Sequence, residues 1–286
     1  MELGLLYSRI REDEKMLLTE LRDRGHEVTT IDVRKLQFDL NESPSEFDEV
    51  DIAFNRAMES SRIRYVAQFV DHYDIQVVNS PETARICADK VRGSLALKEA
   101  GVPTPDTEVS FDHESAIESI ERFGYPCVLK PVTGSWGRLM ARIDTRAAAE
   151  AILEHKETLG GYEHKVFYIQ EFVEKPGRDI RVVAADGEPI AAMMRSSDHW
   201  ITNVARGGRT EKFEVNDEVR DLAERASAAV GGGLLGIDLM ETGDSYTVHE
   251  VNSTCEWKGL NQAVPEVDVP ARIVDWIEHR AQEVAA

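Results

Sequence analysis

The stretch Gly236–Asn252, GIDLMETGDSYTVHEVN, decides how this chain reads. An apolar run, a Thr242-Gly243-Asp244-Ser245 turn and a second run of alternating character describe a β-hairpin, with Val248, Glu250 and Asn252 expected on one face. Asp238 on the first strand then has Glu250 and Asn252 as neighbours. Two carboxylates and an amide oxygen are hard ligands that suit magnesium, leaving coordination positions for phosphate oxygens, and they suit zinc poorly. The alternative is an ordinary hairpin whose polar residues face water.

Outward from the hairpin, three further stretches carry chemistry. In Pro126–Met140, PCVLKPVTGSWGRLM, Lys130 leaves a buried strand and enters a loop of small residues, Gly134, Ser135 and Gly137. Such a loop lets backbone N–H groups approach anionic oxygens while the lysine supplies a point charge. It is neither a Walker loop nor a Rossmann turn, and a plain glycine hairpin is the competing reading. In Tyr168–Val182, YIQEFVEKPGRDIRV, an apolar strand breaks into Glu174-Lys175-Pro176-Gly177. The break frees backbone donors and acceptors beside an apolar wall suited to an adenine ring, with Asp179 placed to accept from a ribose hydroxyl; a solvated edge turn is the alternative. His199–Arg209, HWITNVARGGR, is locally basic with no acid after Asp198.

The rest of the chain alternates strand and helix. Residues 2–7, 27–33, 51–55 and 75–79 read as strands between helices at 12–24 and 62–73, an open α/β sheet. Ser80 and Pro81 start one helix that runs to Gly101, and Pro103 and Pro105 mark a linker. Strands at 107, 127–130, 139–143 and 166–173 enclose helices at 114–123 and 146–156. An Asp186-Gly187 turn joins strands 179–185 and 189–195, helix 218–230 precedes the metal hairpin, and an amphipathic helix, 270–284, closes the chain. The fold class is α/β (α+β), with an N-terminal unit over 1–88 and a second domain over 89–286 that divides into lobes at about 89–170 and about 171–286.

Of 286 residues, 42% are hydrophobic and 30% charged, and no run approaches a membrane span. The N-terminus reads as a strand rather than a leader, so a cytoplasmic protein is expected. Cys87, Cys127 and Cys255 lack metal or disulfide spacing. The net charge is −20, from 53 acidic against 33 basic residues, which disfavours nucleic acid and anionic membranes as partners. Only 10 of the basic residues are lysine, and the acids are dispersed; this is the surface expected of a halophilic protein.

Taken together, Lys90 in ADK, Lys130 in VLKP, the loop TGSWGR, the hinge QEFVEKPGRDIR and the Asp238, Glu250, Asn252 set resemble the ATP-grasp superfamily in its RimK-like branch. The resemblance covers Lys90 to the C-terminus, and the preceding lobe looks like that family's N-terminal domain. Asn252-Ser253-Thr254-Cys255-Glu256-Trp257-Lys258 resembles the signature of ligases that join an amino acid to an amino-group carrier protein in lysine and arginine biosynthesis. Gly259-Leu260, which follows, is similar to the Gly-Phe pair of the glutamate-specific type, with leucine departing from phenylalanine.

The resemblance implies a carboxylate–amine ligase that uses ATP and Mg2+, with two ions expected and Mn2+ a substitute. Its partners would be glutamate or α-aminoadipate and a small acidic carrier protein, and a homo-oligomer, dimer or tetramer, is the expected assembly. Lys90, Lys130, Gly134, Ser135, Trp136, Gly137, Gln170, Glu171, Phe172, Val173, Asp179 and Asn203 would bind the nucleotide. Asp238, Glu250 and Asn252 would hold the metal. Arg195 and Asn203 would act at the reacting groups, and Arg195, Asn252, Ser253, Thr254, Glu256, Lys258, Gly259 and Leu260 would bind substrate. Within enzymes, the runner-up is a ligase adding glutamate to another peptide, cofactor or small molecule; a nucleotide-binding regulator without catalysis is the reading from another class.

The acidic surface gives a direct test. As salt shortens the screening length from about 10 Å at 0.1 M to about 3 Å at 1 M, self-repulsion should ease and the melting temperature should rise. A Tm that stays flat or falls between those concentrations refutes the halophilic reading.

Overall fold

A computed structural model describes residues 1–134, 138–161, 165–202 and 208–285. The N-terminal strands β1 (Glu2–Tyr7), β2 (Glu27–Asp32), β3 (Ile52–Arg56) and β4 (Gln76–Val78) form a parallel sheet in the order β2-β1-β3-β4, with α1 (Glu12–Asp23) and α2 (Ser60–His72) as crossovers. The order reverses direction between β1 and β3, so the loops leaving their carboxyl ends flank a crevice of the kind that binds ligands in open α/β sheets.

The single helix expected over 81–101 is two, α3 (Pro81–Cys87) and α4 (Lys90–Glu99). Asp89 causes the break: its carboxylate accepts from the N–H groups of Val91 and Arg92 at 2.9 and 3.1 Å, so α4 has its own cap and Lys90 occupies its first position. Ser80 caps α3 as expected.

The strands β5 (Thr107–Ser110), β6 (Cys127–Lys130), β7 (Ala141–Ile143) and β8 (Phe167–Glu171) make an antiparallel sheet in the order β5-β8-β6-β7, backed by α5 (His113–Phe123) and α6 (Arg146–Leu159). This lobe has its own core, built around Ile117, Ile120, Leu129, Leu153, Phe167 and Ile169.

A second antiparallel sheet, β11-β10-β9-β12-β13, contains β9 (Arg178–Ala185), β10 (Glu188–Ser196), β11 (Arg209–Phe213), β12 (Leu234–Thr242) and β13 (Ser245–Asn252). β11 was not anticipated. One face of the sheet packs Ile180, Val182, Ile237 and Leu239 against α4 and α7 (Asp217–Val230). The opposite face changes character along its length: Val183, Ala185 and Ala191 join Leu3, Leu5, Phe54 and Ile273 in one core, whereas Asp179, Arg181, Arg195 and Asp238 open onto a cleft. The N-terminal sheet, this sheet and α9 (Val269–Ala285) therefore share a continuous apolar interior. α8 (Lys258–Ala263) was not anticipated.

The hairpin β12–β13 forms as expected, with one correction. Asp238 pairs with Glu250 and Leu239 with Val248, leaving His249 as an extra residue in a β-bulge. Val248 and Val251 consequently both enter the apolar core, and Val248 does not share the face of Glu250 and Asn252.

Asn79, at the end of β4, fastens the two sheets together. Its amide donates to the carbonyls of Leu234 and Ser253 at 2.8 and 2.6 Å, and accepts from the N–H of Leu234 at 2.7 Å. Gly233, at φ +102°, leaves the space: a Cβ there would lie 2.2 Å from the Asn79 Oδ1. Asn79→Ala strands these buried backbone groups and should cost about 2–4 kcal/mol, read as a lower urea midpoint at unchanged m-value. A loss below about 0.5 kcal/mol contradicts this account.

Candidate active site

The three cores meet around a cleft of about 1200 Å³ that reaches from β6 and β8, across the hairpin, to the loops after β1 and β3. It is lined by Lys90, Lys130, Gly134, Gln170, Glu171, Phe172, Val173, Asp179, Arg195, Asp238, Glu250, Asn252, Ser253, Thr254, Glu256, Lys258 and Gly259. Most residues singled out in the sequence are thus in one place. Ser135, Trp136, Gly137 and Asn203 lie outside the described residues. Leu260 is not in the cleft: it points from α8 into the shared core, fully buried, because the helix turns its apolar face inward. It cannot be the wall that limits substrate length. Gly259 does reach the cleft, beside Met193, and an added Cβ would meet the Met193 thioether at an ordinary 3.8 Å.

At the β6 end, Lys130 is 3% exposed. Its ammonium donates to the Gln170 carbonyl and lies 3.3 Å from His249 Nε2, while the Gln170 amide is fixed by Thr107 and the Tyr168 hydroxyl. Burial lowers the Lys130 pKa to about 7; Glu250 opposes the shift, and Lys90 and Lys175 add to it. Lys90 donates to Glu250 and to the Gly134 carbonyl, both at 3.1 Å. Two lysines on one small volume, one of them stripped of water, are an arrangement that an anion stabilises.

His249 is the residue the bulge adds. Burial, and then the charges of Lys130, Lys175, Lys90 and Arg195, push its pKa well below the usual value, so it is a neutral imidazole. Its Nδ1 is buried with no partner among the described residues.

Beyond Phe172, whose ring lies 6.3 Å from Trp200 and 4.6 Å from the Arg142 guanidinium, the floor of the cleft is a ladder of charges. Arg181 forks both oxygens of Asp238; Arg195 reaches Asp238 at 2.9 Å and Asp179 at 2.6 Å; Lys175 stands 3.5 Å from Asp179, which also accepts from Thr202. Asp179 is engaged within this network rather than free for a ribose. Burial would raise the pKa of Asp238, but Arg181 and Arg195 hold it below the ordinary carboxylate range. Arg181 was missed in the sequence, although its alternation with Asp179 on an otherwise apolar strand was a signal. Its seat depends on Gly236, where a Cβ would come within 2.9 Å of the Arg181 Nη1.

The donor set expected for a divalent ion is present on one face. Asn252 lies 3.5 Å from Asp238 through its amide nitrogen, and Asp238 and Glu250 are opposite each other in the ladder. Among the described residues no three of His, Cys, Asp and Glu cluster, so a metal would depend on the Asn252 amide oxygen as well as the two acids. The acids are shared with Arg181, Arg195 and Lys90, a balance that added positive charge would shift.

At the far end the cations differ in their pairing. Arg11 is committed to Glu14 and Glu256, whereas Arg64 on α2 and Lys258 on α8 have no carboxylate within 4 Å among the described residues. Two unneutralised cations on one cleft end of a strongly acidic chain point to an anionic ligand.

Comparison with known proteins agrees with this geometry. The LysX preATP-grasp domain family matches residues 3–86, and the RimK-like ATP-grasp domain family matches residues 87–277. The alpha-aminoadipate–LysW ligase LysX of Sulfurisphaera tokodaii is 33% identical over 285 residues, 97% of this chain and 100% of that one. The glutamate–LysW ligase ArgX of Sulfolobus acidocaldarius is 28% identical over 282 residues, covering 98% and 99%. A RimK domain ATP-grasp protein from Sphaerobacter thermophilus superposes with a TM-score of 0.82 at 29% identity, over 96% of this chain and 99% of that one.

The expectation that Lys130 meets a phosphate gives a test. A phosphate beside its ammonium raises a pKa that stands at about 7, so binding takes up a proton. The linkage makes affinity for ADP greatest below that pH and lowers it as pH rises, by up to about tenfold per unit until the bound-state pKa is reached. Calorimetry between about pH 7.5 and about 9 should show this fall, and Lys130→Met should flatten it. A pH-independent Kd in the unaltered protein counts against the assignment.

Proposed function

The chain belongs to the RimK-like ATP-grasp family, and on that premise we propose that it is an ATP-dependent carbon–nitrogen ligase joining the α-amino group of glutamate or α-aminoadipate to a side-chain carboxylate of a small carrier protein. The observation that carries this reading is the single cleft in which a buried lysine pair and an acid–amide set adjoin an end bearing two unneutralised cations. Full-length similarity to two ligases named for LysW supports the kind of partner.

In this reading a carboxylate oxygen of the carrier attacks the γ-phosphorus of ATP, the bond to ADP breaks, and an acyl phosphate forms. The lone pair of the substrate amine attacks the acyl carbon, the carbon–oxygen bond to phosphate breaks, and the nitrogen loses a proton to give the amide. Both steps depend on positioning and on neutralising phosphate charge. Lys90, Lys130 and the loop Gly134-Ser135-Trp136-Gly137 are proposed to bind the phosphates, and Gln170 to Val173 the base. Asp238, Glu250 and Asn252 would hold magnesium, which would supply positive charge against the nucleotide phosphates; two ions are proposed, with manganese a substitute. Arg195, held by Asp179, faces the reacting groups, Asn203 is proposed to act with it, and Ser253, Thr254, Lys258 and Gly259 border the substrate.

Glutamate is the proposed substrate. Glutamate and α-aminoadipate differ by one methylene, which a pocket discriminates by about 1–3 kcal/mol. With Leu260 in the core, the device falls to Gly259 and Met193. Purified protein should turn over ATP with magnesium and glutamate only when a carrier protein is present, and Gly259→Asn should change the ratio of kcat/KM for the two amino acids by about fivefold or more. Equal turnover without any carrier would transfer the reaction to a small-molecule acceptor. A ratio favouring α-aminoadipate in the unaltered protein would reverse the substrate assignment.

A further inference from the structure

The run Cys255-Glu256-Trp257-Lys258 borders the substrate end of the cleft, yet little of it is free to touch a substrate. Trp257 is fully buried, and the Glu256 carboxylate is 2.7 Å from Arg11. Each of the four residues is instead held by the N-terminal unit. Asp13, at the start of α1 and 3% exposed, accepts through one oxygen from the N–H groups of Trp257 and Lys258, at 2.9 and 2.7 Å. Arg56, at the end of β3 and 1% exposed, donates to the Cys255 carbonyl at 2.9 Å and lies 4.3 Å from the centre of the Trp257 ring. Glu14 binds both Arg11 and Arg56 and ties the group together.

α8 begins at Lys258 and is only six residues long, and its N-cap residue, Trp257, makes no side-chain cap of its own. A helix so short gains little from its own hydrogen bonds, and its first N–H groups need an acceptor. Asp13 is that acceptor, supplied from 245 residues away in sequence. The direction of Lys258 and Gly259 into the cleft is therefore set by a carboxylate on a different domain.

We propose that Asp13 and Arg56 are positioning residues for the amino-acid substrate: they seat the 255–258 turn so that Lys258 and Gly259 meet it. Neither residue approaches the nucleotide end, where Lys90 and Lys130 stand. The inference rests on the proposed ligase reading for the identity of the substrate, but the clamp itself is testable without turnover. A binding surface fixed within a few tenths of an ångström loses affinity when its support is removed, even though the contacting residues are unchanged.

Asp13→Ala removes the acceptor, whereas Asp13→Asn keeps an oxygen in the same place. Asp13→Ala should raise the KM for the amino acid by about tenfold, with the Kd for ADP unchanged within about twofold, and Asp13→Asn should recover most of the loss. Arg56→Lys, which can still meet Glu14 but cannot stack on Trp257, should fall between them. Independently of activity, hydrogen exchange at the Trp257 and Lys258 amides should accelerate at least about tenfold in Asp13→Ala and stay slow in Asp13→Asn. Accelerated exchange with unchanged amino-acid KM would overturn the positioning role and leave a purely structural joint. Parallel loss of ADP and amino-acid affinity would overturn it too, as would unaltered exchange. If the unaltered protein shows no amino-acid-dependent turnover, it is the ligase reading that fails, and the exchange result still decides the clamp.

Discussion

Charge pairing in the floor of the cleft constrains everything built around it. Arg181, Asp238, Arg195, Asp179 and Lys175 follow one another as alternating charges, most of them out of water, where each ion alone would cost several kcal/mol to bury. Such a set is tolerable only when every member is held at bonding distance. The antiparallel register provides that, because Asp238 is opposite Arg181 and Asp179 is opposite Arg195 on adjacent strands. The apolar face behind the same strands, with Ile180, Val182, Ile237 and Leu239 fully buried, holds that register in place.

The arrangement of cores determines how the cleft is enclosed. The N-terminal sheet and the five-stranded sheet share one interior and are further joined by Asn79, Asp13 and Arg56, so the end of the cleft bearing Lys258 and Gly259 is built on jointly packed sheets. The lobe carrying Lys130 and Gln170 has a separate interior and meets that unit largely through polar contacts, such as the Lys90 N–H to the Val132 carbonyl, the Ser94 hydroxyl to that of Tyr168, and Lys130 to His249. The two ends of the cleft thus rest on units of different attachment, a construction that lets one end shift relative to the other.

Much of this was legible in the sequence, for reasons that differ by element. The hairpin over 236–252 and the Asp186-Gly187 turn were readable because alternation and turn chemistry are local. Lys130, Asp238, Glu250 and Asn252 were readable because hard ligands and a cation stood out against apolar strands, and Lys90 through its place in the family resemblance; the structure brings all five into one cleft. The break between α3 and α4 could have been found from Asp89, but continuous helical periodicity concealed it. α8 could not be found, because its cap comes from Asp13 in another domain. Leu260 was misplaced for the same reason: without α8 there was no means of knowing which way it faced.

The bulge in β13 has a simple topological meaning. On either side of His249 the strand keeps the same faces: Val248 and Val251 go to the core, and Glu250 and Asn252 go to the cleft. Were His249 absent, Val248, Glu250, Val251 and Asn252 would alternate without any residue changing sides. His249 is thus a register-neutral insertion, one codon that adds an imidazole beside Lys130 while leaving the hairpin's pairing and its core unaltered. Strands that accept an extra residue in this way give a lineage a means of altering the lining of a cleft by insertion or deletion rather than by substitution, without reopening the packing beneath it.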